Sequence, residues 1–509
     1  MQRQNKRYLG DLDAASDSNF DNHFVESDDL RQIFTDESSI VYGSKGVGKT
    51  ALRRALTEIE KDHYYTTVTI DLDRISFAEV HGALDKLKNT SGVEVLALAS
   101  NTWRNVLALY CLDAVASQLG DDDGLKAAIT DSISTEGLAD PNAQNRILGF
   151  IDRVFQLVAR AADDGPESTP LGLAPAQRRM INLFPLSPAL MTVLEQGSKR
   201  VQGTSKVVLI SLDGFDSIVV HTDESRRAVF AGLIDAIYKC SKDPLLNNAF
   251  CFKAFLPLEL ADDAHRLVWD ADKFAMNRHV IRWSVHDFED FLVKRLGPLS
   301  KTKRTHFLDV WHAHMPDKIR NNKYTLDEPS FGYILRHTLY RPRQVLTHLQ
   351  SIFDQWDARF ESLRVDPTFI PQVVSNTNYD LSEYVVGQVA VRMPEISNFM
   401  RSWRRSSNAV SVGECRERIG RMFGCETSEE IDKRFTALFN FGIFGVANHE
   451  DVYEGAPQSA FSFVYVGDRF QPHVCSAVSD SDIVALSPMF HEYCGATPSD
   501  YGVIIPSEV

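Results

Sequence analysis

The chain has 509 residues, 44% of them hydrophobic and 24% charged, and a net charge of −15. That length supports about three domains and a large core, and the acidic balance argues against a body that coats nucleic acid non-specifically, leaving room only for a local basic patch. The cysteines, at 111, 240, 251, 415, 425, 475 and 494, are odd in number and scattered, which suggests reduced thiols in a cytoplasm and not a disulfide framework.

No CxxC spacing occurs, and the one close His/Cys pair, His491 and Cys494, makes a poor metal site. The first residues carry charge without an apolar run, so no signal peptide is expected. No stretch of about 18 apolar residues occurs either, so the expected protein is cytoplasmic, with no membrane partner.

Residues 1–37 read as an N-terminal segment with apolar spacing at Phe24, Val25, Leu30, Ile33 and Phe34. Phe24 or Phe34 would either cover a nucleotide base or, more simply, pack against a sheet. Ser39–Tyr42 is a short apolar strand, and Gly43-Ser44-Lys45-Gly46-Val47-Gly48-Lys49-Thr50 follows it, with a helical pattern from Ala51. This is Gly-x4-Gly-Lys-Thr between strand and helix. Glycines let successive backbone N–H groups curl toward phosphates, and the helix that follows adds its dipole. Lys49 would reach the β- and γ-phosphates and the Thr50 hydroxyl would bind Mg²⁺. Gly43 to Ala51 are therefore the candidate ATP-binding residues.

Tyr65–Ile70 is β-branched and aromatic and predicts a second strand. Helical stripes follow, through Trp103, Val106, Leu107, Tyr110, Cys111, Val115 and Leu119, then through Ile147, Phe150, Ile151, Val154, Phe155 and Val158. Prolines at 166, 170, 175, 185 and 188 predict an extended loop over 165–190. Residues 75–200 thus read as a helical insertion. Lys206–Asp213 is a continuous apolar run ending in an acid, the pattern of a strand buried on both faces of a parallel sheet. A helix over 223–240 and strands at Phe250–Leu256 and His279–Trp283 complete an α/β core over 38–284. No internal repeat is evident.

From about 285 the strand pattern stops. Helices over Phe288–Leu296, Lys303–His314 and Pro342–Phe360 suggest a helical lid, 285–375. Helices over 381–403, 411–423 and 427–440, then Phe441–Val446 and the alternating Phe461–Val466, follow the plan of a winged helix, 376–472. The tail, 473–509, reads as irregular with an apolar anchor near Met489 and Phe490.

ATP hydrolysis needs an acid on a neighbouring strand to hold Mg²⁺ and usually a second to position water. Asp213 suits the first role. Asp216, past the tight turn at Gly214, either positions water or caps the next turn. In Tyr340-Arg341-Pro342-Arg343 the proline suits a first helical turn and fixes two guanidiniums at a corner. Arg341 or Arg343 could be an arginine finger, in cis or across a subunit boundary; a structural salt bridge is an equal reading.

Val41–Leu52, Leu212-Asp-Gly-Phe-Asp216, Trp283–Leu292 with Arg295, and Arg341-Pro-Arg343 resemble bacterial P-loop ATPases of the STAND/KAP-like, AAA-related kind, over roughly residues 20–350. The Asp-Gly-x-Asp signature is similar to that of NACHT-type members. The resemblance implies Lys49 and Thr50 at phosphate and Mg²⁺, Asp213 at Mg²⁺ and Asp216 near the attacking water. It also implies a winged-helix tail, an oligomeric regulatory switch and, by analogy, a place in anti-phage defence with a separate effector protein. One departure is Pro257, near where members of this group often carry a sensor residue; slow hydrolysis, or help from a neighbouring subunit, would follow.

The candidate recognition helix, Thr427–Phe435, begins with acids, which suit the helix dipole but repel DNA phosphates. A basic cluster at 401, 404, 405, 416, 418 and 421 lies upstream, offset by Glu414 and Glu417. DNA contact is therefore possible but not favoured over a protein contact. The leading expectation is an ATP-binding, ATP-hydrolysing switch; the others are a DNA-loading ATPase and a non-hydrolysing nucleotide-binding scaffold.

Overall fold

The computed structural model describes residues 7–35, 39–91, 95–152, 187–215, 224–258, 278–299, 305–465 and 478–507. The chain divides into two units. One comprises Leu30–Gly43 and Lys49–Val280; the other comprises Met1–Asp29, Ser44–Gly48 and Ile281–Val509.

The first unit is built on a five-stranded sheet. Its strands are β1 (Ile40–Gly43), β2 (Thr66–Asp71), β3 (Val208–Asp213), β4 (Phe250–Pro257) and β5 (Arg278–Val280), in the order β2-β3-β4-β1-β5. Every neighbouring pair is parallel. The central strands β1, β3 and β4 are buried almost throughout, whereas the edge strand β2 alternates little and is half exposed. This is the mixed α/β fold expected from continuous apolar runs separated by helices.

Helices α1 (Lys49–Arg54), α2 (Phe77–Ser91), α3 (Val95–Ser117), α4 (Gly124–Thr135), α5 (Pro188–Gln202) and α6 (Glu224–Lys242) make the parallel connections. Between β2 and β3 the described residues form α2 to α5 and the short segments that join them; of the stretch read as an insertion over 75–200, residues 153–186, with most of its prolines, lie outside the described residues. Trp103, Val106, Leu107 and Val115 of α3 are buried in one core with Val229, Leu233 and Ile237 of α6. The two helices meet closely at Gly232, where an added Cβ would lie 2.5 Å from that of Ala99. No side chain larger than hydrogen fits there without movement.

In the second unit α7 (Val285–Leu296) starts at a capping box formed by Ser284 and Asp287. Next come α8 (Phe307–His314), a hairpin of β6 (Lys318–Asn321) and β7 (Leu326–Pro329), and α9 (Ser330–Arg336). The hairpin interrupts a region expected to be wholly helical. Helix α10 (Pro342–Asp357) has Pro342 in its first turn. The single helix expected over 381–403 is two, α11 (Phe369–Ala390) and α12 (Ile396–Arg401), with Pro394 in the break; proline lacks the N–H that a continuous helix needs there.

The remainder runs β8 (Ala409–Ser411), α13 (Val412–Phe423), α14 (Ser428–Asn440), β9 (Phe444–Ala447), β10 (Gln458–Phe461), β11 (Ile483–Leu486) and β12 (Val503–Pro506). Strands β8, β11 and β9 form an antiparallel sheet in that order, and β10 pairs with β12. The expected pairing of the segments near 446 and 461 survives as one bridge, Val446 to Ser462. The tail expected to be irregular supplies the central strand, β11, because Ile483–Leu486 is a fully buried apolar run. Among the described residues, no helix is long and apolar enough to cross a membrane.

Candidate functional site

Strands β1 and β3 are parallel, so Gly43 and Asp213 close them on the same edge of the sheet, with β4 between. In open parallel sheets that edge is where ligands bind. The chain leaves β1 through Ser44–Gly48 and re-enters helix at Lys49. Gly46 and Gly48 have φ of +85° and +115°, conformations that side-chain-bearing residues rarely adopt. This is the physical need for glycine at those two places in the motif.

Within the sheet unit, the buried Lys49 Nζ donates to the Gly43 carbonyl at 2.9 Å, bridging the two ends of the loop. One residue on, the Thr50 hydroxyl hydrogen-bonds the Asp213 carboxylate. The same carboxylate accepts from the Gly214 N–H at 2.9 Å and from Arg53 Nε at 3.2 Å. Desolvation raises the Asp213 pKa, while Arg53, the Gly214 N–H, Thr50 and Lys49 act against it. Gly214 makes the turn expected of it, with φ +96°; an added Cβ there would lie 2.9 Å from the Asp71 carboxylate. The structure thus gathers Lys49, Thr50 and Asp213. A hydroxyl and a carboxylate side by side are hard oxygen donors, the kind Mg²⁺ takes.

Asp216 lies outside the described residues. Pro257 ends β4 and stands in register with Gly43. Phe34 packs edge-on against His63 and Tyr64, and Phe24 packs against Phe20.

The loop tip, Ser44–Gly48, has its neighbours in the second unit. The Trp283 indole N–H donates to the Val47 carbonyl at 2.7 Å. The Lys45 ammonium stands 5.3 Å from the ring centre of Tyr384. The Arg343 side chain lies against Gly46, where an added Cβ would be 3.3 Å from its own. Arg343 also donates from Nε to the Leu12 carbonyl at 3.2 Å and stands 3.6 Å from Asp13. Arg341, by contrast, is buried and occupies the N-cap position of α10. The two arginines of the motif are therefore not equivalent: Arg343 reaches the glycine loop, and Arg341 belongs to the interior.

Sequence reasoning missed Arg53 as the partner of Asp213. Its spacing of four from Lys49 places it on the same helix face, and a cation there would have been worth weighing against the acid. It also gave Trp283 no role, since a lone indole shows nothing of the carbonyl it meets.

In the basic cluster, Arg418 is buried, bonded to Glu414 and stacked 4.5 Å from the Trp403 ring centre. Arg416 pairs with Asp432 and Asp480. Arg401, Arg404, Arg405 and Arg421 are exposed, as are Glu429 and Glu430 at the start of α14.

The fold is that of an α/β protein with a parallel sheet and a glycine-rich turn after β1. The sequence matches no known family. It is similar to a protein of Escherichia coli (strain K12) named "Putative transposon gamma-delta 80.3 kDa protein", at 25% identity over 357 residues. The match takes in 68% of this chain but 46% of that protein, so the chain spans less than half of the relative's length.

Proposed function

We propose that the protein is a P-loop ATPase that works as a nucleotide-dependent switch. The observation that carries this reading is the meeting of Lys49, Thr50 and Asp213 at the end of adjacent β1–β4–β3 strands, beside a loop whose glycines adopt positive φ. Lys49 would leave the Gly43 carbonyl for the β- and γ-phosphates, and Thr50 and Asp213 would hold Mg²⁺. Held by the Thr50 hydroxyl and the Asp213 carboxylate, Mg²⁺ would supply positive charge to offset the charge that develops on the phosphates. Arg53, now paired with Asp213 at 3.2 Å, would compete with the metal for that carboxylate. Arg343, at Gly46, is the better of the two candidates for sensing the γ-phosphate, and Arg341 is the structural one.

The order β8-β11-β9, with α13 and α14 between the first strand and the second, supports reading 409–486 as a winged helix. Its acidic second helix favours a protein partner, a further copy of the chain or a separate effector, and defence against phage remains an analogy of the resemblance. Turnover decides the enzymatic part. Wild type should release phosphate from ATP with Mg²⁺, and Asp213→Ala should be slower by about two orders of magnitude, the scale of losing one preorganised electrostatic contact. Equal background rates in both, with ATP still bound, would leave a scaffold and not an enzyme.

A second reading, an ATPase that acts on DNA in transposition, draws on the likeness to a protein named for a transposon. It requires duplex binding that weakens steeply with salt. No binding at low salt would remove it.

A further inference from the structure

We infer that Trp283 is a positioning residue for nucleotide binding: its indole N–H holds the Val47–Gly48 peptide in the orientation that presents the Gly48 N–H to phosphate. The inference rests on the proposed ATP site and adds to it a residue outside the glycine motif.

The peptide group is planar and trans, so its C=O and N–H point in opposite directions. The Val47 carbonyl is drawn to Trp283 Nε1 at 2.7 Å, a short and well-formed bond. The N–H of Gly48, in the same plane, must then face away from the indole. Gly48 stands at φ +115° and Gly46 at +85°, so the loop backbone is of the kind most free to rotate. An external anchor therefore matters here more than it would in a regular element. The indole is itself fixed. Its ring lies 5.1 Å from Phe288 and 5.4 Å from Phe291, on the first turns of α7, and the Ser284–Asp287 capping box pins the start of that helix. The side chain of Arg343 covers Gly46 in the same loop. Preorganising a binding loop in this way raises affinity by removing the ordering that the ligand would otherwise impose.

The test uses the full chain and ATP. Trp283→Phe keeps an aromatic ring above Phe288 and Phe291 but removes the donor. A benzothiophene analogue of tryptophan at position 283 keeps the whole bicyclic ring and lacks only the N–H, which covers the case in which Trp283→Phe fails to fold. Calorimetry should show ATP bound about tenfold more weakly in either variant, the scale of one lost hydrogen bond. KM should rise in step while kcat changes little, and the melting temperature without nucleotide should stay near the wild-type value; a merely structural role would move the melting temperature and not the affinity. Affinity within twofold of wild type in the analogue protein would overturn the inference and leave the ATP site standing. Wild type that binds no ATP would overturn both.

Discussion

Burial acts on an acid in the sheet unit and on imidazoles in the second unit, and in both it disfavours the charged form, moving the two kinds of group in opposite directions. In the sheet unit a carboxylate, Asp213, is enclosed among cations and donors that only partly offset its desolvation, so its pKa is raised. In the second unit the buried His337 and His348 and the half-buried His491 are held towards the neutral form. Burial lowers His337 well below its ordinary value, His348 to about 4 and His491 to about 3. His337 Nδ1 faces the Tyr333 carbonyl at 2.7 Å and His491 Nε2 the Leu486 carbonyl at 2.9 Å. These rings are local packing polar groups, each set against backbone of its own unit. Asp213 instead sits where an added cation would improve its surroundings. A raised acid where parallel strands end is a candidate for a site; a neutral histidine in a core serves packing.

The largest effect expected is in the second unit, in the core around Trp403. Trp403 is fully buried, stacked by Arg418 and packed with Phe399. Trp403→Ala should cost about 3–5 kcal/mol of stability, measured by denaturant unfolding. A loss below 1 kcal/mol would mean that this core is far looser than the burial of its aromatics indicates.

The histidines give the next effect, with a definite sign. Their folded pKa values are depressed, so the stability they contribute is full above the unfolded value near 6.5 and is lost as pH falls toward 4 for His348 and 3 for His491. From pH 6.5 to 5 each should cost on the order of 2 kcal/mol. Replacing His348 with Gln should flatten the slope of stability against pH over that range. An unchanged slope would place the ring in water, at odds with its complete burial.

Asp213 has the opposite sign. Its folded pKa is raised, so its contribution is most favourable below the ordinary carboxyl value and is lost as pH rises through the folded one. Asp213→Asn should therefore stabilise the nucleotide-free protein at neutral pH and do less at pH 4. Destabilisation at neutral pH would mean that the pair with Arg53 outweighs desolvation, and the contrast between the units would fail.

Much of the first unit was legible because its signals are local. Buried parallel strands read as apolar runs, and Lys49 stands at a fixed spacing from the glycines of the adjoining loop, Gly46 and Gly48, which backbone conformation requires. The pairing of Thr50 with Asp213 followed from the motif, although it spans distant parts of the chain. What stayed illegible was set by tertiary pairing. Ile483–Leu486 looks like any apolar anchor until β8 and β9 flank it. Lys318–Asn321 and Leu326–Pro329 are short and polar, with nothing in either to announce a hairpin. Arg341 and Arg343 carry the same side chain two residues apart, and only the fold separates one in the interior from one at the glycine loop.

The central claim is that Thr50 and Asp213 form the magnesium end of an ATP site. Calorimetric titration of wild type and Asp213→Asn with ATP, each in Mg²⁺ and in EDTA, tests it most directly. Wild type should bind ATP more tightly with Mg²⁺ than with EDTA, and that difference should vanish in Asp213→Asn while metal-free binding persists. An equal Mg²⁺ dependence in the two proteins, or no ATP binding by wild type, would contradict the account.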